Sequence, residues 1–167
     1  MPTILELENL PIRVTADGRW LHGDTPLHPR VAVLFAHCVV PDPDGGGYHL
    51  EVGRSRAPVE VADAAFHVTR LALETGPGGA LTRARLGLSD GTSEDLDPAT
   101  LMAGPDNALY CRVVRHGLSV PCRFPPSLYH RLALHVEARG DGFVLPLGGA
   151  AHPIGPYDPR PREAGRP

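Results

Sequence analysis

One pattern occurs twice in this chain and constrains the fold more than any other feature. Residues 29–53 read PRVAVLFAHCVVPDPDGGGYHLEVG, and residues 126–148 read PSLYHRLALHVEARGDGFVLPLG. In both, apolar residues at helical spacing follow a proline, and a glycine-rich turn then leads into an alternating strand pattern. The length difference falls in the turn, where deletions are tolerated. We therefore predict an internal repeat of a helix, a turn and a strand.

Each helix of the repeat has one apolar face. Pro29 suits the first position of the first helix, where its missing N–H costs nothing, and Pro41 is expected to end that helix. The second helix is expected to begin near Pro126. If the repeat is real, Phe35 and Leu132 should be buried in equivalent places.

A predicted hairpin precedes each helix. Asp17-Gly18 connects strands at 12–15 and 19–22, and Gly117 connects strands at 110–115 and 118–124. Glycine accepts the positive φ that such tight turns require. Further strands are expected at 58–61, 66–73 and 80–88, the last with Ala80, Thr82, Ala84, Leu86 and Leu88 on one face. The predicted fold class is α+β, with two similar hairpin–helix–strand motifs and largely antiparallel sheets.

These elements divide the chain into two predicted halves. The N-terminal half is expected to span residues 1–90, with a leader and possible short helix at 1–11, the first repeat at 12–53 and strands at 58–88. An acidic, turn-rich connection follows at 91–107, and the C-terminal half with the second repeat occupies 108–150. Residues 151–167 contain few side chains that pack well, so we expect a flexible tail.

Composition excludes several classes of function. The formal charge is −3, which leaves no electrostatic footprint for nucleic acid or an anionic membrane. All 16 basic residues are arginine, so a single arginine is weak evidence of a site. Because the chain has no signal-peptide pattern and no long apolar run, we expect a cytoplasmic protein.

The odd count of 3 cysteines, Cys38, Cys111 and Cys122, favours buried thiols, and Cys111 and Cys122 could face each other across the second hairpin.

A series of segments in this order resembles a known family. The segments are IRVTADGRWLHGDTPLHPRVAVLFAHCV, GGYHLEV, PVEVADAAF, AGPDNALYCRV and GDGFVLPLG, and together they fall within residues 12–149. They are similar to the bacterial family called domain of unknown function 1285 (DUF1285), with its DG-x-W hairpin, "VEDAPF", "GPDHPL" and "FFPLG" segments. The resemblance implies a two-part α+β fold with repeated motifs, no established activity, and a role in signal transduction or ligand sensing.

The chain departs from that family pattern in two segments. Where the family has a "PxEK" segment, Ser55 replaces the acid and Arg56 replaces the lysine. In the "VEDAPF" segment the chain keeps Asp63 and loses the other acid and the proline. The resemblance therefore implies a divergent member whose charged site, if the family has one here, differs in chemistry.

Common catalytic and metal-binding patterns do not stand out. The 9 histidines form no HxxxH pair, and the cysteines form no CxxC, so we expect no metal site and no cofactor. The glycines at 45–47 and 76–79 precede strands, which makes them turns and not phosphate loops. A hydrolase using Asp63, Ser55 or a histidine stays an alternative, although no G-x-S-x-G motif occurs.

The best candidate site is a cluster of arginines with one acid. Arg54, Arg56, Asp63 and Arg112 are the proposed ligand-binding residues, because guanidinium forks suit carboxylate and phosphate groups. An exposed polar sheet edge would explain the same residues. The favoured function is a non-catalytic ligand-binding or regulatory protein with a small anionic ligand in a cleft between the halves. The alternatives are a hydrolase-type enzyme and a homodimeric or larger protein-interaction module.

Overall fold

The computed structural model describes residues 11–165, so the expected leader at 1–11 lies almost entirely outside the described residues. The helices are α1 (Pro29–Cys38) and α2 (Pro126–Ala133). The strands of the first part are β1 (Ile12–Val14), β2 (Trp20–His22), β3 (Thr25–Pro26), β4 (Val39–Pro41), β5 (Tyr48–Val52), β6 (Ser55–Val61), β7 (Phe66–Thr75) and β8 (Leu81–Leu88). The later strands are β9 (Ser93–Asp95), β10 (Met102–Ala103), β11 (Leu109–Arg115), β12 (Leu118–Arg123), β13 (Glu137–Arg139), β14 (Gly142–Leu147), β15 (Ala150–Pro153), β16 (Gly155–Pro156) and β17 (Arg162–Glu163).

The strands form three sheets. The first has the order β3-β2-β1-β6-β5-β4, and the third has the order β13-β14-β15. The second runs β16-β10-β11-β12-β7-β8-β9, with β17 paired to β12. Most pairs are antiparallel, while β1–β6, β10–β16 and β12–β7 are parallel. The predicted α+β class with largely antiparallel sheets is confirmed.

Both predicted helices are present. Pro29 begins α1, and the Nδ1 atom of His28 accepts a hydrogen bond from the Arg30 amide at 3.3 Å. The helix ends at Cys38, earlier than the prediction from Pro41, because Val39 is already extended and β4 pairs with β5. Sheet pairing therefore stops the helix before the proline does.

The order of elements is similar in the two parts, but their sheet arrangement is not. Each part has a hairpin, a helix and then a three-stranded antiparallel meander, β4-β5-β6 or β13-β14-β15. In the first part β6 pairs with β1, so hairpin and meander share a sheet; in the second part they lie in different sheets. Phe35 and Leu132 are both buried, at 7% and 0% exposure. The internal repeat is thus not confirmed at the level of sheet structure.

One hydrophobic core connects the predicted halves. The second sheet takes β7 and β8 from the first half and β11 and β12 from the second. A single cluster of buried side chains includes Trp20, Phe35, Phe66, Phe124 and Leu132. The two halves therefore share a core, and the domain boundaries given above stay a prediction.

The inward face of β8 differs from the predicted one at its start. Leu81 is buried, whereas Ala80 and Thr82 are exposed; only from Ala84 onward does the predicted face point inward. A register shift between Glu74 and Thr75 in the pairing of β7 with β8 explains the change. A bulge adds one residue to one strand and so moves side chains to the opposite face.

The C-terminal segment is paired in its described part, a pattern that the expectation of a flexible tail over 151–167 did not include. As far as the structure describes it, the segment contains most of β15, together with β16 and β17, each paired with an earlier strand. The Gly155 amide, for example, donates to the Leu101 carbonyl at 3.0 Å. Backbone pairing of this kind needs an available strand edge and not apolar side chains, so composition did not reveal it.

Two further sequence features have clear outcomes. Cys111 and Cys122 are directly opposite on β11 and β12, as predicted, and both are buried. Burial is the main cause that raises the pKa of the Cys122 thiol well above its usual value. Within residues 11–165, no helix is long and apolar enough to cross a membrane.

Candidate functional site

The C-terminal segment crosses one face of the second sheet. β16 pairs in parallel with β10, with Met102 opposite Gly155, and β17 pairs antiparallel with β12, with Ser119 opposite Arg162. Because β11 lies between β10 and β12, residues 155–163 pass over β11, and we call this segment the strap. Prolines within the strap lack amide donors, which prevents it from pairing as one continuous strand.

Arg112 on β11 holds the strap against the sheet. Its Nη1 atom donates to the carbonyl of Asp158 at 2.8 Å, and its Nη2 atom donates to the carbonyl of Arg160 at 2.5 Å. Nε and Nη2 also donate to Ser119, to the hydroxyl at 2.9 Å and to the carbonyl at 2.8 Å. Burial, followed by the nearby charge of Arg162, lowers the pKa of Arg112. The side chain that was predicted to bind a ligand thus fixes main-chain atoms of the strap.

Two cavities lie beside the strap and share part of their lining. One has a volume of about 540 Å³ and the other of about 390 Å³. Ala99, Thr100, Arg112 and Arg162 line both of them. The strap and Arg112 therefore form a wall between two adjacent cavities on the same face of the sheet.

The charges of the two cavities are opposite. The larger one is lined by the three arginines Arg112, Arg160 and Arg162 and by one acid, Asp158, which leaves an excess of positive charge. Its other wall is apolar and includes Met102. The smaller cavity is lined by two arginines and four acids, namely Arg112, Arg162, Glu94, Asp95, Asp97 and Glu163. Of the two, the larger cavity suits an anion.

Asp63 binds the strap to both parts of the molecule. Its Oδ2 atom accepts hydrogen bonds from Tyr110 at 2.7 Å and from Arg123 at 2.6 Å, and its Oδ1 atom lies 3.4 Å from the Tyr157 hydroxyl. Tyr157 belongs to the strap, and its ring stacks on that of Tyr110 with centroids 4.2 Å apart. Asp63 lies just after β6, so one carboxylate joins the first half, β11, β12 and the strap.

The two stacked tyrosines act as hydrogen-bond donors in this network. Burial, and then the hydrogen bond to Asp63, raises the pKa of Tyr110 far above its usual value. Burial and the charge of Asp63 raise the pKa of Tyr157 to about 12. Both hydroxyls therefore keep their protons at neutral pH. Their role is to position Asp63 and the strap.

A close approach of backbone and ring supports the same network. A Cβ atom on Gly104 would come within 2.6 Å of the Tyr110 ring, so only glycine leaves room for that ring. The "GPD" segment of the sequence begins at this glycine. The need to leave room for the Tyr110 ring explains why glycine begins this family-like segment, without any chemical role for the segment.

Arg54 and Arg56 lie at the turn between β5 and β6 and on β6, in the first sheet and away from the strap. Arg54 is exposed in the turn between β5 and β6. The Nη2 atom of Arg56 lies 3.0 Å from an oxygen of Asp42 and 2.9 Å from Nδ1 of His49. His49 is buried, with its Nε2 atom 2.8 Å from a carboxylate oxygen of Glu51. Arg56 therefore already has a counter-charge.

The contacts thus place three of the four predicted site residues in three separate sets. Arg56 contacts the Asp42–His49 pair, Asp63 contacts tyrosines and Arg123, and Arg112 contacts the strap. No hydrogen bond or ion pair between members of the predicted group is among the contacts described for residues 11–165. Their role in binding a ligand stays a prediction.

Sequence reasoning missed Arg160 and Arg162, which supply most of the exposed positive charge of the larger cavity. Both arginines fall in the segment for which the sequence predicts a flexible tail. The available signal was the order Tyr-Asp-Pro-Arg-Pro-Arg at 157–162, in which arginines alternate with prolines. Alternating residues of an extended segment lie on the same side, so two arginines at this spacing can serve one site.

The described residues give no support to metal chemistry or to a serine nucleophile. Among residues 11–165 no group of three or more metal-binding side chains could hold an ion. Ser55 is the first residue of β6 and pairs with Val52 at the end of the hairpin. Among the hydrogen bonds found within residues 11–165, none joins Ser55 to a histidine.

Comparison with known proteins identifies the fold. No family model matches the sequence, and no curated protein matches it. A DUF1285 family protein from Silicibacter pomeroyi DSS-3 matches with a TM-score of 0.69 and 21% identity, over 88% of this chain and 80% of that one. A DUF1285 family protein from Shewanella baltica OS155 matches with a TM-score of 0.57 and 20% identity, over 76% of this chain and 93% of that one. The DUF1285 resemblance seen in the sequence is thus confirmed as a shared fold.

Proposed function

We propose, on the premise of a fold shared with the DUF1285 structures, that this protein is a non-catalytic ligand-binding module with a regulatory role. Its ligand is a small anion with an apolar body. The site is the 540 Å³ cavity beside the strap. The observation that carries the proposal is the excess of arginine over acid in the lining of that cavity.

The two walls of the cavity suit different parts of such a ligand. Arginine guanidinium groups make paired, charge-assisted hydrogen bonds to carboxylate and phosphate groups. Leu101, Met102 and Tyr157 line the apolar part. Ligand sites usually combine an apolar wall with a few polar groups, and the volume lies within the usual range for small molecules.

Arg160 and Arg162 are the side chains best able to meet the anion. Both bind the carboxylate of Asp158, yet their side chains are 81% and 58% exposed. Because both guanidinium groups lie largely in solvent, an incoming anion can reach them beside Asp158. Arg112, in contrast, is occupied by carbonyl and hydroxyl oxygens and contributes mainly its charge.

The predicted site at Arg54 and Arg56 is the second location for the same ligand class. The contact of Arg56 with Asp42 reduces the net positive charge there. The proposed cleft between two repeated halves also has less support, since the 540 Å³ cavity is lined by residues between 99 and 162. The repeat itself is a proposal that rests on the common order of hairpin, helix and meander.

The test is a thermal-shift screen with phenyl phosphate, benzoate, inorganic phosphate and adenosine monophosphate. A ligand at about 100 times its Kd should raise the Tm by roughly 5–10 °C. The double variant R160Q/R162Q should weaken binding by about tenfold or more, since it removes charge-assisted hydrogen bonds.

The double variant R54Q/R56Q removes the same formal charge elsewhere and is the matched control. It should keep the shift. Loss of the shift in R54Q/R56Q alone would place the ligand at the originally predicted arginines. Absence of a shift with every anion in the parent protein would contradict the proposal.

Two alternatives from the sequence stay predictions. A hydrolase would turn over ester or phosphate substrates in an activity panel, with loss of turnover in Asp63→Asn or Ser55→Ala. A homodimer would be detected by light scattering over a range of protein concentrations. Exposed Leu134 and Phe143, near or within the third sheet, are the apolar side chains that such an interface would cover.

A further inference from the structure

We infer that the strap is a lid which opens and closes over the anion site, and that Arg112 is the latch that holds it closed. This inference rests on the proposed function, because it assigns a regulation to the same cavity. Arg112 acts here as a positioning residue: it binds the main chain of the strap at Asp158 and Arg160.

The site is complete only when the strap is closed. Arg160 and Arg162 belong to the strap, whereas Arg112, Thr100 and Met102 belong to the sheet and the loop before it. If the strap lifts, the two arginines move away from the apolar wall. Binding of an anion that contacts both sides therefore favours the closed state by mass action.

Few apolar contacts hold the strap in place. Its ends are fixed by the short pairings of β16 and β17, and its middle by Arg112 and by the stack of Tyr157 on Tyr110. The arginine side chains of the strap are largely exposed. Segments with little apolar burial open at low free-energy cost compared with global unfolding.

Like charges oppose closure, and an anion would remove that opposition. Closing the strap brings Arg160 and Arg162 to the same cavity as Arg112. Burial is the main cause that lowers the pKa of Arg112, and the nearby charge of Arg162 lowers it further, as repulsion between the two arginines would. Asp158 compensates part of it by binding Arg160 and Arg162. A bound phosphate or carboxylate would supply the remaining negative charge.

The smaller cavity fits this scheme as the space on the other side of the latch. It shares Arg112 and Arg162 with the anion site, but four acids line it beside these two arginines. Asp95 and Glu94 are in turn paired with Arg83, Arg85 and Arg115, but the excess of acids still makes this cavity less favourable for an anion than the larger one. The difference in charge between the two cavities therefore favours binding of the anion on the side of the strap that faces the larger cavity.

Hydrogen exchange of three amides measures closure directly. Gly155 donates to Leu101, Tyr157 to Ala103 and Ala164 to Gly117, so each amide is protected only while the strap is closed. Saturating phenyl phosphate should slow exchange at these amides by about tenfold in the parent protein. The amide of Ala62, which donates to Val14 in the first sheet, is the internal control and should not change.

The variant Arg112→Gln tests the latch without any ligand. It should speed exchange at the same amides by about tenfold or more, and Arg112→Lys should restore part of the protection, since one ammonium group replaces a fork of donors. If Arg112→Gln does not fold, Ser119→Ala removes one partner of the latch and should produce a smaller change of the same sign. Unchanged protection in a folded Arg112→Gln protein would overturn the latch.

The outcomes separate this inference from the proposed function. Binding of phenyl phosphate seen by calorimetry, without slower exchange in the strap, would overturn the lid and leave the anion site intact. Absence of binding would overturn the anion site. Slower exchange limited to the strap in the parent, and lost in R160Q/R162Q, supports both.

Discussion

Asp63 and His67 illustrate how single residues in this protein join segments that are distant in sequence. Asp63 was predicted to bind a ligand as the one acid of an arginine cluster, and its partners in the structure are Tyr110, Arg123 and Tyr157. His67 is buried at the start of β7, with its Nε2 atom 3.4 Å from the carbonyl of Ala16 in the first hairpin. Such partners depend on the whole fold and are not visible in local sequence.

The burial of His67 predicts a pH dependence of stability. Burial is the main cause that lowers the pKa of His67 from its ordinary 6.5, so the unfolded chain binds this proton more readily than the folded one. Stability should therefore fall as the pH drops below 6.5 and continue to fall until the folded pKa is reached. Above that pH range the His67 side chain is neutral in both the folded and the unfolded protein.

The measurement is the free energy of unfolding at about pH 7 and about pH 5, where a shift of one pKa unit corresponds to ~1.4 kcal/mol. The variant His67→Gln should lose part of the slope between these two pH values. His130→Gln, at an exposed position on α2, is the control and should keep the slope of the parent. Equal slopes in all three proteins would contradict the prediction.

Elements with strong local signals were predicted well, and elements defined by their partners were not. Gly18 and Gly117 have φ of 88° and 75°, as tight turns require, and both hairpins formed where expected. In contrast β3, β9, β10 and the C-terminal strands are short, and their existence depends on a free strand edge nearby. Of the residues that line the proposed site, Arg112 was predicted from the sequence and the strap arginines were missed, because their segment has no periodic apolar pattern.

The first hairpin predicts the effect of a substitution in its turn. A Cβ on Gly18 would lie 2.9 Å from the His67 ring, in addition to the strain of a positive φ. Gly18→Ala should lower the free energy of unfolding by about 2 kcal/mol.

Gly45→Ala provides the matched comparison for this turn. Gly45 also has a positive φ, of 76°, but a Cβ there would meet nothing within 4 Å. Its cost should be only about 1 kcal/mol, the backbone part alone. Denaturant unfolding of the two variants measures the difference, and equal losses would show that contact with His67 adds nothing.

At the scale of the whole molecule, one short parallel pairing joins the two parts of the chain. Cys122 pairs with Phe66 and Arg123 pairs with His67, where β12 meets β7. The hydrophobic core continues across this junction from Trp20 to Leu132. A shared core and a shared sheet predict that the two halves unfold together.

The chain contains 1 tryptophan, which makes this cooperativity measurable. Trp20 packs edge-to-face on Phe35, with ring centroids 6.2 Å apart, in the first half. Leu132→Ala in the second half should cost about 2–5 kcal/mol and shift the Trp20 fluorescence transition and the far-UV circular dichroism transition equally. Phe35→Ala is the counterpart in the first half. Two separate transitions would mean that the halves are independent.

The path of the strap has a consequence for the order in which the molecule is built during synthesis. The strands that receive it, β10 and β12, both precede it in the chain. The strands β10, β11 and β12 therefore leave the ribosome before the strap does, and they can pair with one another while the strap is still unavailable. Arg160 and Arg162 are synthesised after these strands, so the body of the sheet can form before the wall of the larger cavity that the two arginines supply.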